Sequence, residues 1–247
     1  MKRWEHVVLP LAAAAGSIAA WHAAVRYSGT HIFPAPIDVE RGLAQLAHKG
    51  VLLRYISDSL RRVSIGYLLG VACGVPAGLL LGWYPTLSRT VNPVVQMLRP
   101  ISPLAWIPLA IVWFGVGDFA AIFLIFVGSF FPIVVSTASG VRNIPEMFLR
   151  AGSNFGLSPI AVLRRVVLPA STPQIIAGLR IALGIAWLVV VAAEMIAVDS
   201  GLGYLIIDSR NAGKRYDLVL AGMLLIGLIG LGLDTGMRRL QRLKSVQ

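Results

Sequence analysis

Charge is scarce in this chain of 247 residues: Asp, Glu, Lys and Arg make up 13% of it, whereas hydrophobic residues make up 57%. Soluble domains carry about a quarter charged residues. No charged residue occurs between Arg62 and Arg89, between Arg99 and Asp118, or between Asp118 and Arg142. A helix needs about 20 residues to cross the hydrocarbon of a bilayer, and these gaps are of that order. A soluble fold is therefore excluded, and the runs are expected to be helices because backbone polar groups must be satisfied within the membrane.

Cysteine and histidine are also scarce. The one cysteine, Cys73, cannot form an internal disulfide and is interpreted as a small apolar packing residue. The one Gly-Lys pair, Gly213-Lys214, has no glycine five residues before it, so a G-x-x-x-x-G-K-[ST] phosphate loop is missing. We therefore expect no enzyme activity and no metal or cofactor on this chain, and ATP hydrolysis on another polypeptide. The four histidines lack metal-ligand spacing and are His6, His22, His31 and His48.

The apolar runs predict six membrane-spanning helices in a single all-α polytopic domain that covers residues 1–247. Lys2 and Arg3 ahead of the first run are typical of a signal peptide, but we interpret that run as a retained span. The third and fourth runs are separated by little more than GVGD, which predicts a tight hairpin. The predicted spans are residues 7–25, 63–84, 100–117, 119–141, 175–198 and 218–237.

Lys and Arg set the predicted orientation, because they are enriched on the cytoplasmic side of membrane proteins. With the N-terminus inside, the inner segments hold twelve Lys and Arg residues and the outer segments hold nine. We therefore expect both termini in the cytoplasm and the net charge of +11 mainly on the cytoplasmic face. That charge suits anchoring at the inner leaflet of the lipid bilayer, and no nucleic-acid partner is expected. The longest outer segment, 28–62, is predicted to hold a short interfacial helix capped by Asp38.

Five glycines recur at every fourth residue of the second span. Small residues at this spacing let a neighbouring helix approach closely, so we expect a helix-packing stripe that winds around the span. The sequence leaves open whether the stripe packs within the subunit or against a second copy. Pro76 lies within the stripe and predicts a kink. The glycines are Gly66, Gly70, Gly74, Gly78 and Gly82.

The only long inner connection, residues 142–173, is interrupted by glycine and proline residues. Their positions predict a short helix, a turn and a second short helix. Gly156 is placed to end the first helix in the left-handed conformation, and Ser158 to cap the second. The Leu168-Pro169 pair is expected to end that second helix. Helices this short are unstable alone in water, so we predict that an apolar stripe on the second helix sits in a groove of another protein. The stripe comprises Ile160, Leu163, Val166 and Val167.

This connection resembles the EAA loop of ABC transporter permeases, which reads Glu-Ala-Ala, three residues, Gly, nine residues, Ile, any residue, Leu-Pro. Two positions depart, since Arg150 replaces the Glu and Gly152 replaces the second Ala. In the family this loop forms the coupling helix that docks on the ATPase subunit. The resemblance implies an ATPase-coupling site here, and our own hypothesis is that Glu146, one turn before Arg150, takes over part of the role of the missing Glu. Its residues are Glu146, Arg150, Ala151, Gly152, Gly156, Ser158, Leu163, Leu168 and Pro169.

The resemblance extends over most of the chain and rests on four longer runs: MLRPISPLAWIPLAIVWFGVGD, FVGSFFPIVVSTASGVRNIP, GLRIALGIAWLVVVAAEMI and SGLGYLIIDSRN. They look like the permeases of the nitrate, sulfonate, taurine and bicarbonate importer group. The resemblance implies a type I ABC importer permease fold in the bacterial inner membrane. It also implies a homodimer of permease subunits, two ABC ATPase subunits that hold ATP and Mg, and an extracytoplasmic substrate-binding protein. By the same resemblance the substrate is a small anion.

Ionisable groups inside a membrane are functional candidates, and Glu194 lies near the end of the fifth span. Its carboxylate either lines the substrate pathway or makes a structural hydrogen bond or salt bridge, and repulsion of an anionic substrate favours the second alternative. Arg180 in the same span is expected to snorkel to the inner interface. Gln96, Ser102 and Trp106 lie in a Pro-rich stretch whose irregular backbone either lines a cavity or is a packing kink.

The mechanism that the resemblance implies is alternating access. A loaded binding protein docks outside, ATP closes the ATPase pair, the coupling helices move with it and the spans tilt, and hydrolysis resets them. The alternative is a gradient-driven secondary carrier or channel without an ATPase. That class predicts inverted repeats and ion-coordinating groups at mid-span, and the sequence shows no convincing repeat and few such groups.

Overall fold

The computed structural model describes residues 5–28, 33–211 and 213–244, so that Lys2 and Arg3 lie outside the described part. All regular secondary structure in these ranges is helical, which confirms the predicted all-α fold class. The helices are α1 (Glu5–Ser28), α2 (Pro36–His48), α3 (Val51–Trp83), α4 (Pro85–Leu98), α5 (Ile107–Phe114), α6 (Asp118–Arg142), α7 (Glu146–Asn154), α8 (Pro159–Val162), α9 (Leu168–Glu194), α10 (Leu202–Asn211) and α11 (Tyr216–Lys244).

Membrane crossing is possible for four stretches of helix by length and composition, or for five if a bent pair counts as one span, within the described residues. The structure thus gives four or five spans where the sequence predicts six. The predicted first span lies in α1, which is not among them. The four stretches are Val51–Trp83, Asp118–Arg142, Pro159–Glu194 and Tyr216–Arg239.

The helix is broken at the start of the predicted third span, in the Pro-rich stretch where the sequence predicts irregular backbone. α4 and the segment Pro103–Phe114, which combines a 3₁₀ turn with α5, are bent by 85° relative to each other. Pro100 and Pro103 fall at the bend, where proline cannot supply the N–H that a continuous helix needs. The hairpin into α6 is present and contains Gly115 and Gly117 at positive φ values of 75° and 147°.

The prediction that Leu168-Pro169 ends a helix is wrong, because the chain stays helical from Pro159 to Glu194. A π turn at Leu163–Val167 joins α8 to α9, and the Leu168 N–H donates to the carbonyl of Leu163, five residues back. Pro169 has no N–H to donate, so the wider turn accommodates the missing hydrogen bond without breaking the helix.

The outer segment is also more helical than predicted. α3 begins at Val51, twelve residues before the predicted start at residue 63, and this brings Arg62 into the helix. α2 begins at Pro36, so Asp38 caps the helix from its first turn and not as the residue that precedes it. The residue before α2 is Ala35, and its N–H donates to the Asp38 carboxylate over 3.1 Å.

The glycine stripe of α3 packs within the subunit, along α6. A Cβ on Gly66 would lie 2.7 Å from the Cβ of Ile125, and one on Gly74 would lie 2.9 Å from Cγ2 of Ile133. Real Cβ contacts are longer, so these positions admit only glycine at the observed separation. Both sets of residues advance by four in the same direction, which shows that α3 and α6 run parallel. The pairs are Gly66–Ile125, Gly70–Ser129, Gly74–Ile133, Gly78–Thr137 and Gly82–Val141.

Candidate functional site

The loop between α6 and α9 forms the first part of the candidate site. α7 is followed by a turn in which Gly156 adopts a φ of 72°, the left-handed conformation that favours glycine. Ser158 then caps α8, because its Oγ accepts a hydrogen bond of 3.3 Å from the N–H of Ala161. The helix, turn and helix that the glycine and proline positions predict are therefore present, and the second helix continues into α9.

The sequence predicts that the apolar stripe of α8 and the π turn faces outward toward a partner protein. In the structure this stripe does not face outward. Val162 and Val167 are buried against Val141 and Ile144, at the end of α6 and just after it, and Leu163 packs at the edge of the same cluster. Hydrophobic burial against the chain's own helices is available to these side chains, so they need no partner protein. Ile160 is the exception in the predicted stripe, with 70% of its surface exposed.

The apolar side chains that do face outward belong mainly to α7 and the turn that follows. Met147 is 68% exposed, Phe155 is 85% exposed, and Phe148 is also exposed. Together with the exposed Ile160 on α8, these side chains are called the loop patch. Large exposed apolar side chains on a short helical unit are typical of a docking surface.

The two positions that depart from the EAA pattern, Arg150 and Gly152, both lie in α7. Arg150 pairs with Glu146 across one turn of α7, with 3.0 Å between Nη2 and Oε1, and both side chains are more than 70% exposed. An exposed pair of this kind contributes little to stability, so both charges remain available to a partner. Gly152 is buried, and a Cβ on it would lie in ordinary contact 3.4 Å from Cγ2 of Val166. Ala151, Leu168 and Pro169 are exposed.

Glu194 belongs to a second, separate arrangement near the predicted outer ends of the spans. Its side chain is 0% exposed, and three donors hold its carboxylate. Arg62 Nη1 donates to Oε1 over 2.8 Å, and Ser59 Oγ donates to Oε2 over 2.8 Å. The N–H of Gly203 also donates to Oε2, over 3.0 Å. Both carboxylate oxygens are therefore satisfied by protein groups.

Arg62 is the centre of this buried network, with 2% of its side chain exposed. Its Nε donates to Oδ1 of Asp118 at the start of α6, over 2.7 Å. Its Nη1 and Nη2 also donate to the carbonyl and the Oγ of Ser200, over 2.8 and 2.6 Å. A buried guanidinium is costly unless its donors are paired, and here two carboxylates and a backbone carbonyl pair it. Arg61 contributes from the surface through an ion pair with the same Asp118.

The segment Ser200–Gly203 wraps around the Glu194 carboxylate. Gly201 has a φ of 105°, and a Cβ on it would lie 2.5 Å from Oε2 of Glu194. A Cβ on Gly203 would lie 2.8 Å from the Cβ of Glu194. Side chains at either position would displace the carboxylate, so the two glycines explain how the backbone approaches it so closely. The network thus connects α3, α6, α9 and α10 through one buried charge cluster.

The other pathway candidates do not join that cluster. Among the described residues, none of Gln96, Ser102 and Trp106 hydrogen-bonds to Glu194. Gln96 lines a cavity between α4 and α6, and the Ser102 Oγ accepts from the N–H of Leu104 over 3.3 Å to cap the 3₁₀ turn. Trp106 packs against the core, and its indole Nε1 has no hydrogen-bond partner in the described part of the chain.

Arg180, which is expected to snorkel to the inner interface, is paired with a carboxylate. Its Nε donates to Oδ1 of Asp234 on α11 over 2.7 Å, and the other oxygen of Asp234 accepts from Nε of Arg238 over 2.8 Å. Both helices bring a basic side chain to one carboxylate, so the pairing fixes α9 to α11. No group of His, Cys, Asp and Glu that suits a metal ion occurs in the described ranges.

With this geometry established, comparison with known proteins identifies the family. Residues 74–245 match the family model of binding-protein-dependent transport system inner membrane components. The chain belongs to this family. The permease is therefore a membrane-embedded translocation subunit of an ABC importer, and such a subunit works with a separate ATPase and a substrate-binding protein.

Two curated relatives and one solved structure place the permease more closely. It is 38% identical over 193 residues to the taurine transport system permease protein of Escherichia coli, covering 77% of this chain and 69% of that one. It is 36% identical over 259 residues to the bicarbonate transport system permease protein of Synechococcus elongatus, covering 98% of this chain and 92% of the other. An inward-facing structure of the MetNI methionine ABC transporter matches its fold with a TM-score of 0.70 at 22% identity, over 78% of this chain and 96% of that chain.

Sequence reasoning missed most of the buried network of the permease. It singled out Glu194 but left Ser59, Arg62 and Ser200 in outer segments without a role. The available signal was electrostatic, since a carboxylate flanked by apolar residues needs a cation, and the Arg61-Arg62 pair adjoins the apolar run of α3. What the sequence could not supply was the contact across 132 positions between Arg62 and Glu194.

Proposed function

We propose that this permease forms a homodimer that imports a small anion of the nitrate, bicarbonate, sulfonate or taurine class by alternating access. The substrate arrives on an extracytoplasmic binding protein, and hydrolysis of ATP with Mg on partner ATPase subunits drives the cycle. The names of the relatives support this class, because bicarbonate is an oxyanion and taurine carries a sulfonate group. The termini and the loop patch lie in the cytoplasm under this proposal.

One observation carries the proposed coupling role, namely the loop patch of Met147, Phe148, Phe155 and Ile160. These side chains are exposed at the end of a rigid unit, since Val162 and Val167 anchor the same segment in the cluster at the inner end of α6. A docked partner that displaces the exposed loop patch would also displace the buried residues of the same segment, and the displacement would pass from them into α6 and α9. Glu146 and Arg150 border the patch and supply charges of both signs to the contact.

The buried network has a different role in this proposal. Because Glu194 is sealed by Arg62, Ser59 and Gly203, its carboxylate does not line the anion pathway but holds the outer ends of four helices together. Repulsion between a substrate anion and this carboxylate is thereby avoided. Gln96 on the exposed face of α4 is the pathway candidate that the structure supports, since it borders an open cavity.

The test is a copurification of the permease with its ATPase, combined with uptake of nitrate, bicarbonate and taurine into proteoliposomes. Phe155→Asp places a charge in the loop patch and should abolish both the copurification and ATP-dependent uptake. Phe33→Asp is the matched control, because Phe33 is an exposed phenylalanine in the outer segment. Retention of the ATPase by the Phe155 variant would refute the docking role of the loop patch.

A further inference from the structure

A cavity between α4 and α6, near Arg142 at the end of α6, has a volume of about 290 Å³. Pockets that hold drug-sized molecules begin at about 300 Å³, so this cavity suits a smaller solute. Its polar lining comes from Asn92 and Gln96 on α4 and from Ser139, Arg142 and Asn143 at the end of α6, and its floor is apolar. The lining contains one cation and no carboxylate.

The guanidinium of Arg142 is only partly committed to the protein. Its Nη2 donates to the carbonyl of Leu81 over 3.3 Å and to the Oγ of Ser88. These two bonds fix the plane of the group between the end of α3 and the start of α4. A guanidinium has five N–H donors, so the Nε and Nη1 donors are left over among the described residues. Nε and Nη1 can each donate a single hydrogen bond to an oxyanion, while the bonds of Nη2 hold the cation in place.

The amide side chains add neutral donors around that cation. The Asn143 Nδ2 donates to the Oγ of Ser139 over 3.3 Å, which positions both groups at the rim. Asn92 and Gln96 lie one turn apart on α4, on the opposite wall of the cavity. A guanidinium cation and amide side chains in one lining, with no acid among the lining residues, favour an anion over a cation or a neutral solute.

We infer that this cavity is a binding subsite for a small free oxyanion such as nitrate or a sulfonate, held by the Nε and Nη1 donors of Arg142 and by Gln96 and Asn92. The inference rests on the proposed function for its placement, since the proposed orientation puts the cavity at the cytoplasmic end of α6. A subsite there holds the anion after it has passed the membrane and before it is released. The same oxyanion chemistry is present in a phospholipid headgroup, which the experiment separates from a free anion.

The experiment measures maleimide labelling of Val135→Cys, at an apolar lining position of the cavity, in the purified permease–ATPase complex in nanodiscs. Cys73, the one native cysteine, is exposed and is replaced by Ser. Sodium nitrate and sodium methanesulfonate are titrated against sodium chloride at equal ionic strength. At least one of the two oxyanions should slow labelling saturably while chloride does not. Equal effects of all three salts, or no effect of any, would overturn the inference.

Variants of the lining test the assigned donors. Arg142→Gln should raise the concentration for half-maximal protection about tenfold, because a charge-assisted hydrogen bond contributes about that factor. Arg142→Lys should give a smaller increase, since the charge remains although the Nε and Nη1 donors are lost. Asn92→Leu keeps the bonds of Arg142 to Leu81 and Ser88, and it should also weaken protection, so the inference remains testable if Arg142→Gln does not fold. An unchanged midpoint in both Arg142→Gln and Asn92→Leu would overturn it.

The lipid source is separated by comparing nanodiscs of phosphatidylcholine with nanodiscs that contain phosphatidylglycerol. If phosphatidylglycerol alone protects the introduced thiol and nitrate adds nothing, the occupant is a lipid phosphate and the inference of a free anion fails. Uptake by the wild-type complex is measured in parallel. Lack of uptake together with saturable protection would reject the proposed transport function and leave the subsite standing, whereas uptake without protection would do the reverse.

Discussion

Arg62 on α3 donates a hydrogen bond of 2.8 Å to Glu194, which follows it by 132 positions and ends α9. Both side chains are almost completely buried, at 2% and 0% exposure. The pair is therefore sealed from water and from lipid, and each charge depends on the other for compensation. This dependence makes the pair a sensitive point of the fold.

Arg62→Met should destabilise the permease strongly, by about 3–5 kcal/mol of unfolding free energy, because it leaves the Glu194 carboxylate buried without a cation. Thermal or denaturant unfolding in detergent measures the change. The double variant Arg62→Met/Glu194→Leu removes both charges and should be more stable than Arg62→Met alone. Simple addition of the two single effects, within about 0.5 kcal/mol, would show that the two residues are not coupled.

Gly66→Ala should destabilise the permease by about 1–3 kcal/mol, because the added methyl group would meet Ile125 and the carbonyl of Ile122 on α6. Gly184→Ala in α9 is the control, since no atom lies within 4 Å of the position its Cβ would take. Alanine is the better helix former, so the control should be neutral or stabilising by up to about 1 kcal/mol. Equal effects of the two substitutions on the unfolding midpoint would contradict tight packing along the stripe.

Asp234→Lys should lower the melting temperature, because it would replace the carboxylate shared by Arg180 and Arg238 with a third positive charge. The effect should shrink as salt is added, since these side chains are partly exposed and their repulsion is screened. Asp234→Asn serves as the neutral comparison and should fall between the wild type and the lysine variant. A salt-independent loss would point to packing rather than charge.

Gly156→Ala should reduce ATP-dependent uptake without lowering the stability of the membrane helices. The φ of 72° costs a residue with a Cβ about 1 kcal/mol or more, whereas no atom lies within 4 Å of the added methyl group. Gly156→Asn should retain more activity, because asparagine tolerates the left-handed conformation better than alanine does. Hydrogen exchange of residues 146–160 measures the local effect, and equal exchange in both variants would argue against backbone strain.

The local features of the loop could be read from the sequence, because glycine and serine report on single backbone positions. Gly156 and Ser158 adopt the conformations that their types favour, and the spacing of five glycines on α3 announced a packing stripe. The continuity of α8 with α9 could not be predicted from the sequence. The π turn that accommodates the missing N–H of Pro169 depends on the packing of Val162 and Val167 against the end of α6. The partner of Arg62 is likewise set only when α3 and α9 come together.

The parallel alignment of α3 with α6 constrains how the molecule can move. Five glycine positions on α3 each receive one side chain of α6, at intervals of four residues. An axial shift of one helix by less than about 6 Å would therefore bring each α6 side chain into a clash with the larger residues between the glycines. The two helices must therefore move as one rigid body throughout the transport cycle. Spin labels on α3 and α6 should keep a constant separation in every nucleotide state, while distances from this body to α4 change.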